Sequence, residues 1–315
     1  MSQHPTTPFR RAWLPYAALG GGVLAVSTAA ILIRLAQAEG APSLALAAGR
    51  LWVAALALTP LVLRRHRAEL RAVHGRTLGW ALLAGVALGL HFATWITSLE
   101  YTAVVNSVTL VTSTPLWVAL AAPFVLGEKP SRAAALGLAL ALSGGVLVGL
   151  SGAVGEPPTR RAPALGNSLA IFGAWMAAIY FLIGRKVRAR VGLTVYVWLV
   201  YGMAALVLSG ALIAARVPVT GYPARAYLWV LLMGLVPQLL GHSAFNYALG
   251  FLPAAYVSLI ILGEPIGSGL LAILILDEWP VALQLVGATL ILAGIAVASQ
   301  SDTAASAPLE QAETL

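Results

Sequence analysis

Cysteine is absent from the 315 residues, so the chain can form neither a disulfide nor a thiolate metal site. Charge is scarce as well: Asp, Glu, Lys and Arg make up 10% of the residues, where a soluble domain carries about a quarter. Too little polar surface is available to coat a water-soluble globule. No Gly-x4-Gly-Lys-Ser/Thr loop occurs, which excludes nucleotide binding in the P-loop manner. No His-Glu-x2-His, no Asp pair within an apolar run and almost no hydrophilic catalytic loop is present. An intramembrane enzyme would lack its reacting groups, so a protein that is not an enzyme is expected, with no metal and no cofactor.

Apolar sequence is what fills the chain: 60% of residues are hydrophobic and the mean hydropathy is +0.88. A spanning helix needs about 20 apolar residues. Runs between turn and charge clusters predict ten helices, at 14–34, 43–63, 77–99, 102–125, 132–150, 165–185, 192–214, 226–248, 252–275 and 280–299. The first run follows Arg10 and Arg11 and could be read as a cleaved signal peptide, but it continues through Ile31-Leu32-Ile33 and is read as a retained helix. The net charge of +8 sits in short clusters between apolar runs, which points to membrane orientation rather than nucleic acid. With the N-terminus inside, 13 of the 19 basic residues face the cytoplasm and 5 face outward, leaving Arg50 within a span. That bias follows the positive-inside rule and predicts both termini in the cytoplasm.

Self-comparison exposes an internal repeat. A shift of 150 residues lays Pro115 on Pro265, Glu128 on Glu278, Pro130 on Pro280, Gly137 on Gly287 and Gly144 on Gly294. At a shift of 151, His91 meets His242, Ala93 meets Ala244 and Arg34 meets Arg185, as if one single-residue gap separated the two registers. Each copy holds five predicted spans, an odd number, so the second copy enters from the opposite side. The expected fold is an all-α integral membrane protein of ten transmembrane helices in two inverted five-helix repeats. Residues 1–13 read as a cytoplasmic tail, 14–150 as the first repeat, 151–164 as an external linker, 165–299 as the second repeat and 300–315 as a cytoplasmic tail. Two such halves can rock about a site at the midplane between them.

Thr114-Pro115-Leu116-Trp117 through Leu126-Gly127-Glu128-Lys129-Pro130, and Gly263-Glu264-Pro265-Ile266 through Leu276-Asp277-Glu278-Trp279-Pro280, carry a resemblance. Together with first spans ending in Ile33-Arg34 and Ile183-Gly184-Arg185-Lys186, they resemble the EamA family of the drug/metabolite transporter superfamily over about residues 14–300. The resemblance implies a multi-pass carrier of small metabolites in the cell membrane, of the bacterial inner-membrane kind. Export of amino acids is the first expectation, with sugar or drug/cation transport, driven by protons, as the alternative.

Ionisable groups inside a bilayer are costly, and each is a functional candidate. Glu264 lies midway along the ninth predicted span beside Pro265 and falls on Thr114 in the other repeat, so the carboxyl belongs to one half only. It is read as a substrate contact and proton-coupling group; the alternative is a neutral acid bonded to a neighbouring helix. His91 with Trp95, and His242 with Asn246, are repeat-equivalent pairs one turn apart, read as pocket lining or as interhelical bonds. Tyr256 shares the Glu264 face, Trp175 is a second deep aromatic, and Asn106 heads a polar stripe on the fourth span; ordinary packing is the competing reading for these. Arg50 is expected to snorkel to the outer interface. The partners expected are a small-molecule substrate, protons if transport is coupled, and the lipid bilayer; a monomer is expected rather than an obligate oligomer.

Overall fold

The computed structural model describes residues 13–102, 104–127, 131–155, 162–276, 279 and 282–305. Among them every regular element is helical. In chain order these are α1 (Leu14–Ala38), α2 (Ser43–Arg65), α3 (Gly75–Tyr101), α4 (Val104–Val111 and Thr114–Val125) and α5 (Arg132–Gly155). The second set is α6 (Pro163–Arg188), α7 (Leu193–Ala215), α8 (Ala224–Ala248), α9 (Ala254–Ile260, Ile261–Gly263 and Glu264–Leu276) and α10 (Ala282–Ala305). A short surface helix, Arg67–Ala72, was not anticipated and lies between α2 and α3.

Seven of these helices, α1, α2, α3, α6, α7, α8 and α9, are long and apolar enough to cross a membrane. The other three contribute shorter apolar runs, Thr114–Val125, Arg132–Leu147 and Leu285–Gly294, among the described residues. α5 and α10 also run past their expected ends at 150 and 299, to Gly155 and Ala305. Residues 1–12 and 306–315 of the tails, the linker core at 156–161 and the repeated Glu128, Pro130, Glu278 and Pro280 lie outside the described residues.

Prolines start several helices. Pro42, Pro223 and Pro253 hold extended backbone at the residue before α2, α8 and α9. Pro15 and Pro115 sit in first turns, where the missing N–H would have had no partner anyway.

The halves pack through reciprocal contacts. α5 lies against α10 with Gly144 on the carbonyl of Gly287, and Gly294 on the carbonyl of Gly137. Exchanging each residue for its repeat-mate turns one contact into the other, as a two-fold relation requires. The relation recurs elsewhere. Gly22 of α1 faces Phe245 of α8, and Gly173 of α6 faces Thr94 of α3; Gly85 of α3 meets Met203 of α7, and Gly234 of α8 meets Val53 of α2. Where α2 and α7 cross, the Trp52 indole donates to Ser209 and the Trp198 indole donates to Thr59, both at 2.9 Å. Small residues let the backbones approach closely, and dispersion rather than water exclusion rewards that approach in an apolar medium.

One register differs from expectation. Arg76, Trp80 and Gly85 of α3 match Arg225, Trp229 and Gly234 of α8 at a shift of 149, whereas His91 and His242 match at 151. The second copy thus holds two extra residues rather than one. They fall within Gly234–His242, where α8 widens to π-helical i→i+5 bonding around Pro237. Widened turns are how a helix absorbs inserted residues without breaking.

A bulky residue at the α5–α10 seam should overpack it. Gly294→Leu is expected to lower stability by about 1–3 kcal/mol, read as a fall in the unfolding midpoint in detergent. Gly20→Leu, where an added Cβ meets nothing within 4 Å, should leave that midpoint in place.

Candidate functional site

A cavity lies between the halves, enclosed by α1, α3 and α4 of one and α6, α8 and α9 of the other. Its empty space, open mouth included, is about 520 Å³. Much of the lining comes in repeat pairs: Val26 with Ala177, Ala29 with Tyr180, His91 with His242, Val111 with Ile261, and Thr114 with Glu264. The cavity therefore sits on the two-fold relation that organises the packing.

Two helices are interrupted at its wall. α4 breaks at Thr112-Ser113, and α9 tightens into a 3-10 turn at Ile261–Gly263, the repeat-equivalent place. Thr114 and Glu264 are the first residues of the resuming helices, and Pro115 and Pro265 follow them. Proline cannot supply the N–H that a continuous helix would use there. The Thr114 hydroxyl donates to the Val111 carbonyl, which Pro115 leaves without its helical N–H, at 2.8 Å, and Thr112 and Ser268 bond back to the carbonyls of Val108 at 2.7 Å and Glu264 at 2.6 Å. Interrupted backbone at membrane depth is tolerated where protein or a cavity surrounds it.

The polar lining is unequal between the halves. Glu264 is 7% exposed, and its side chain reaches the cavity from the start of a helix in the second repeat, where the first has Thr114. His91 donates its Nδ1 hydrogen to the Gly173 carbonyl at 2.9 Å, and its ring stacks on Trp95 with centroids 5.8 Å apart. The Nε1 of Trp95 and the Nδ1 of His242 have no hydrogen-bond partner among the described residues. Both side chains line the cavity, with those two nitrogens buried in the wall.

The structure brings His91, Trp95, His242 and Glu264 together in this lining. Asn246 is fully buried behind it, donating to Tyr180 and to the His242 carbonyl, so its contact with the cavity runs through Tyr180. Two expected positions lie elsewhere. Trp175 is 42% exposed and packs edge-on against Trp117, because it sits on the outer side of α6, away from Ala177 and Tyr180. Tyr256, two turns before Glu264, meets Tyr16 of α1 at 6.0 Å instead of the cavity; the 3-10 turn disturbs the i+4 spacing that aligned it with Glu264. The side chain of Asn106 lies outside the described residues.

Arg50 departs furthest from expectation. It does not snorkel; it is wholly buried on the face of α2 that carries Leu46, Leu51 and Ala54. Its guanidinium carbon lies 4.1 Å from the centre of the Phe92 ring, and none of its three nitrogens has a hydrogen-bond partner among the described residues. A desolvated cation–π contact is worth about 2 kcal/mol, less than the several kcal/mol that burying an ion costs. Gln238, in the widened turn of α8, is also fully buried with neither side-chain oxygen nor nitrogen bonded. The residues missed from sequence were Tyr180, Gln238 and Arg50's burial. Spacing of Arg50 four residues from both Leu46 and Ala54, on a face otherwise apolar or small, was the available signal for the last.

A family model described as the EamA-like transporter family matches residues 13–150 and again 164–300. The chain belongs to that family. The double match coincides with the two sets of helices between which the cavity lies, so this EamA-like protein is a membrane transporter by family, with a multi-pass helical fold. The sequence matches no curated protein. A crystal structure of a protein 21% identical superposes with a TM-score of 0.72, covering 91% of this chain and 98% of its own length, a likeness of fold.

Removing the carboxamide of Asn246 should leave the Tyr180 hydroxyl unsatisfied. Asn246→Ala is expected to lose about 1–3 kcal/mol of stability, measured by thermal unfolding in detergent. Trp175→Ala, outside the cavity, should leave ligand affinity within about twofold of the parent, since isolated exposed sites contribute little.

Proposed function

We propose that this EamA-like chain is a secondary transporter that exports small amphipathic metabolites such as amino acids, by alternating access of the central cavity to the two sides of the membrane. The observation that carries this reading is the cavity itself. Its wall is built from repeat-equivalent residues, and its chemistry is broken by Glu264, which has no counterpart in the first half. Two halves related by a two-fold can exchange conformations at similar cost, so opening on one side mirrors opening on the other.

On this reading all ten helices cross the bilayer, in two inverted sets of five. α4, α5 and α10 cross by packing on α6, α9 and each other. The clusters Arg64-Arg65 and Arg185-Lys186 then lie in the cytoplasm, as do both termini, in a bacterial inner membrane. A monomer suffices, because the cavity is complete within one chain.

The lining supports an amphipathic solute. Trp95, Phe181 and Phe245 supply apolar area, and His91, His242, Tyr180 and Glu264 supply a few directional groups. A polyanion would meet Glu264 as a like charge. A proton on Glu264 is the coupling particle, exchanging with the solute's cationic group for the same carboxylate.

Reconstituted vesicles test this. With an imposed pH gradient, uptake of at least one member of a panel of amino acids, sugars and cationic dyes should follow the gradient, and amino acids should lead. Glu264→Gln should bind solute more weakly and without responding to pH. Gradient-driven uptake that survives in Glu264→Gln would remove Glu264 from coupling, and absence of uptake across the whole panel would overturn the carrier reading.

A further inference from the structure

Five arginines, Arg64, Arg65, Arg67, Arg71 and Arg76, crowd the connection between α2 and α3, and all five are exposed. None makes a hydrogen bond, an ion pair or a ring contact among the described residues. The one acid among them, Glu69, is already engaged. One of its oxygens accepts the Gly192 N–H at the start of α7, at 2.5 Å, and the other lies 3.2 Å from Nδ1 of His66. Five cations against one acid leave residues 64–76 with an excess of positive charge that nothing in the fold answers.

Orientation in a membrane does not by itself leave basic groups free. The neighbouring basic cluster at 185–190, at the same end of the bundle, is largely taken up by the fold. Arg185 donates to the Leu249 carbonyl at 3.0 Å, and Arg188 donates to the Asn246 carbonyl at 3.0 Å and to the Val191 carbonyl. Lys186 lies 5.2 Å from the centre of the Trp80 ring. Nor does the repeat account for the five arginines, since the equivalent connection between α7 and α8 carries only Arg216 and Arg225 and no helix. Local geometry sets the height of the cluster. Arg64 and Arg65 close α2 just after Leu61 and Leu63, two large apolar side chains on its exposed surface. Leu70 and Val73 pack against the core and fix the short helix Arg67–Ala72. Arg67 and Arg71, four residues apart on that helix, share the side away from Glu69, where like charges repel.

We propose that this arginine surface binds the headgroups of anionic phospholipids, whose acyl chains lie against the exposed apolar end of α2. The inference goes beyond the transport reading and stands without it. Guanidinium offers parallel N–H donors that match the oxygens of a phosphate. Basic residues just beyond a spanning helix meet a bilayer at headgroup depth, where an anionic surface attracts them. Apolar and cationic surface adjoin on one helix end, Leu61 and Leu63 followed by Arg64 and Arg65, which suits a lipid and not a nucleic acid or an acidic peptide. A zwitterionic headgroup would bring its own cation against the arginines, so the ligand carries net negative charge. Phosphates between Arg67 and Arg71 relieve their repulsion. Because Glu69 ties this connection to the start of α7, bound lipid is coupled to the second repeat and raises the stability of the whole chain.

The full-length protein in neutral detergent is titrated with short-chain phosphatidylglycerol, with phosphatidylcholine of the same chains and with inorganic phosphate, following the unfolding midpoint. Phosphatidylglycerol should bind about tenfold or more tightly than phosphatidylcholine, since each basic residue near an anionic surface contributes about fivefold. Inorganic phosphate should leave the midpoint in place. The pair Arg67→Gln with Arg71→Gln should cut the preference between the lipids about tenfold or more. These side chains are exposed and unpartnered, so the fold should survive; if it does not, Arg64→Gln with Arg65→Gln decides by the same ratio. Arg216→Gln with Arg225→Gln removes as much charge from the connection between α7 and α8 and should keep the preference. Equal binding of the two lipids by the parent overturns the proposal, as does a full preference in the Arg67 and Arg71 variant. An equal loss in the Arg216 and Arg225 variant would reduce the effect to net charge and overturn it too. A midpoint raised as far by inorganic phosphate would assign the surface to free phosphate instead of lipid.

Discussion

Backbone amides and carbonyls in an apolar medium have no water to bond, and the architecture of this chain follows from that. Helices satisfy them along nearly the whole length. Where the helical ladder is interrupted, at Thr112-Ser113, at Ile261–Gly263 and across Gly234–His242, the interruption faces the interior rather than the outer surface. The Thr114 hydroxyl takes the Val111 carbonyl that Pro115 leaves without its helical N–H. A site thus forms where the ladder is weakest, because only there are backbone dipoles and side chains free to face an occupant.

Packing obeys the repeat and chemistry departs from it. Gly137 and Gly287, Gly144 and Gly294, Thr59 and Ser209 each do the same job in both halves. Close approach of helices depends on small size alone, so the same residues serve twice. Ala29 against Tyr180, Trp95 against Asn246, Thr114 against Glu264 and Val200 against Arg50 are the departures, all buried or lining the cavity. An asymmetric solute needs different groups at its two ends, and a perfect two-fold site could not provide them.

Energetics single out the same region. A lone buried guanidinium and a lone buried carboxamide are each costly, and the chain holds both within the reach of α2 and α8. Some other buried polar side chains are matched, Ser98 with Ser107 at 2.5 Å, the Asn246 amide nitrogen with Tyr180, and Ser258 with the Ala255 carbonyl at 3.0 Å, whereas the Tyr196 hydroxyl and the Asn246 side-chain oxygen have no partner among the described residues. The unmatched groups lie on α2, α3, α7 and α8.

Sequence by itself determined that the chain is helical, apolar and doubled, since hydrophobic run length and a 150-residue repeat need no knowledge of contacts. It also marked His91, His242 and Glu264, because a titratable residue in an apolar run is conspicuous wherever it points. Direction was a matter for tertiary structure. Trp175 and Tyr180 are five residues apart on α6, yet one faces outward and the other the cavity. The 3-10 turn before Glu264 rotated Tyr256 off the site, and the widened turns of α8 carried Gln238 inward. Arg50 could have reached either water or the core from its place in α2, and only the close packing of α2 against α7 and α8 decided for the core. A helix's own residues set its amphipathic pattern, but which face meets a neighbour depends on small local changes of pitch and on the partner helices.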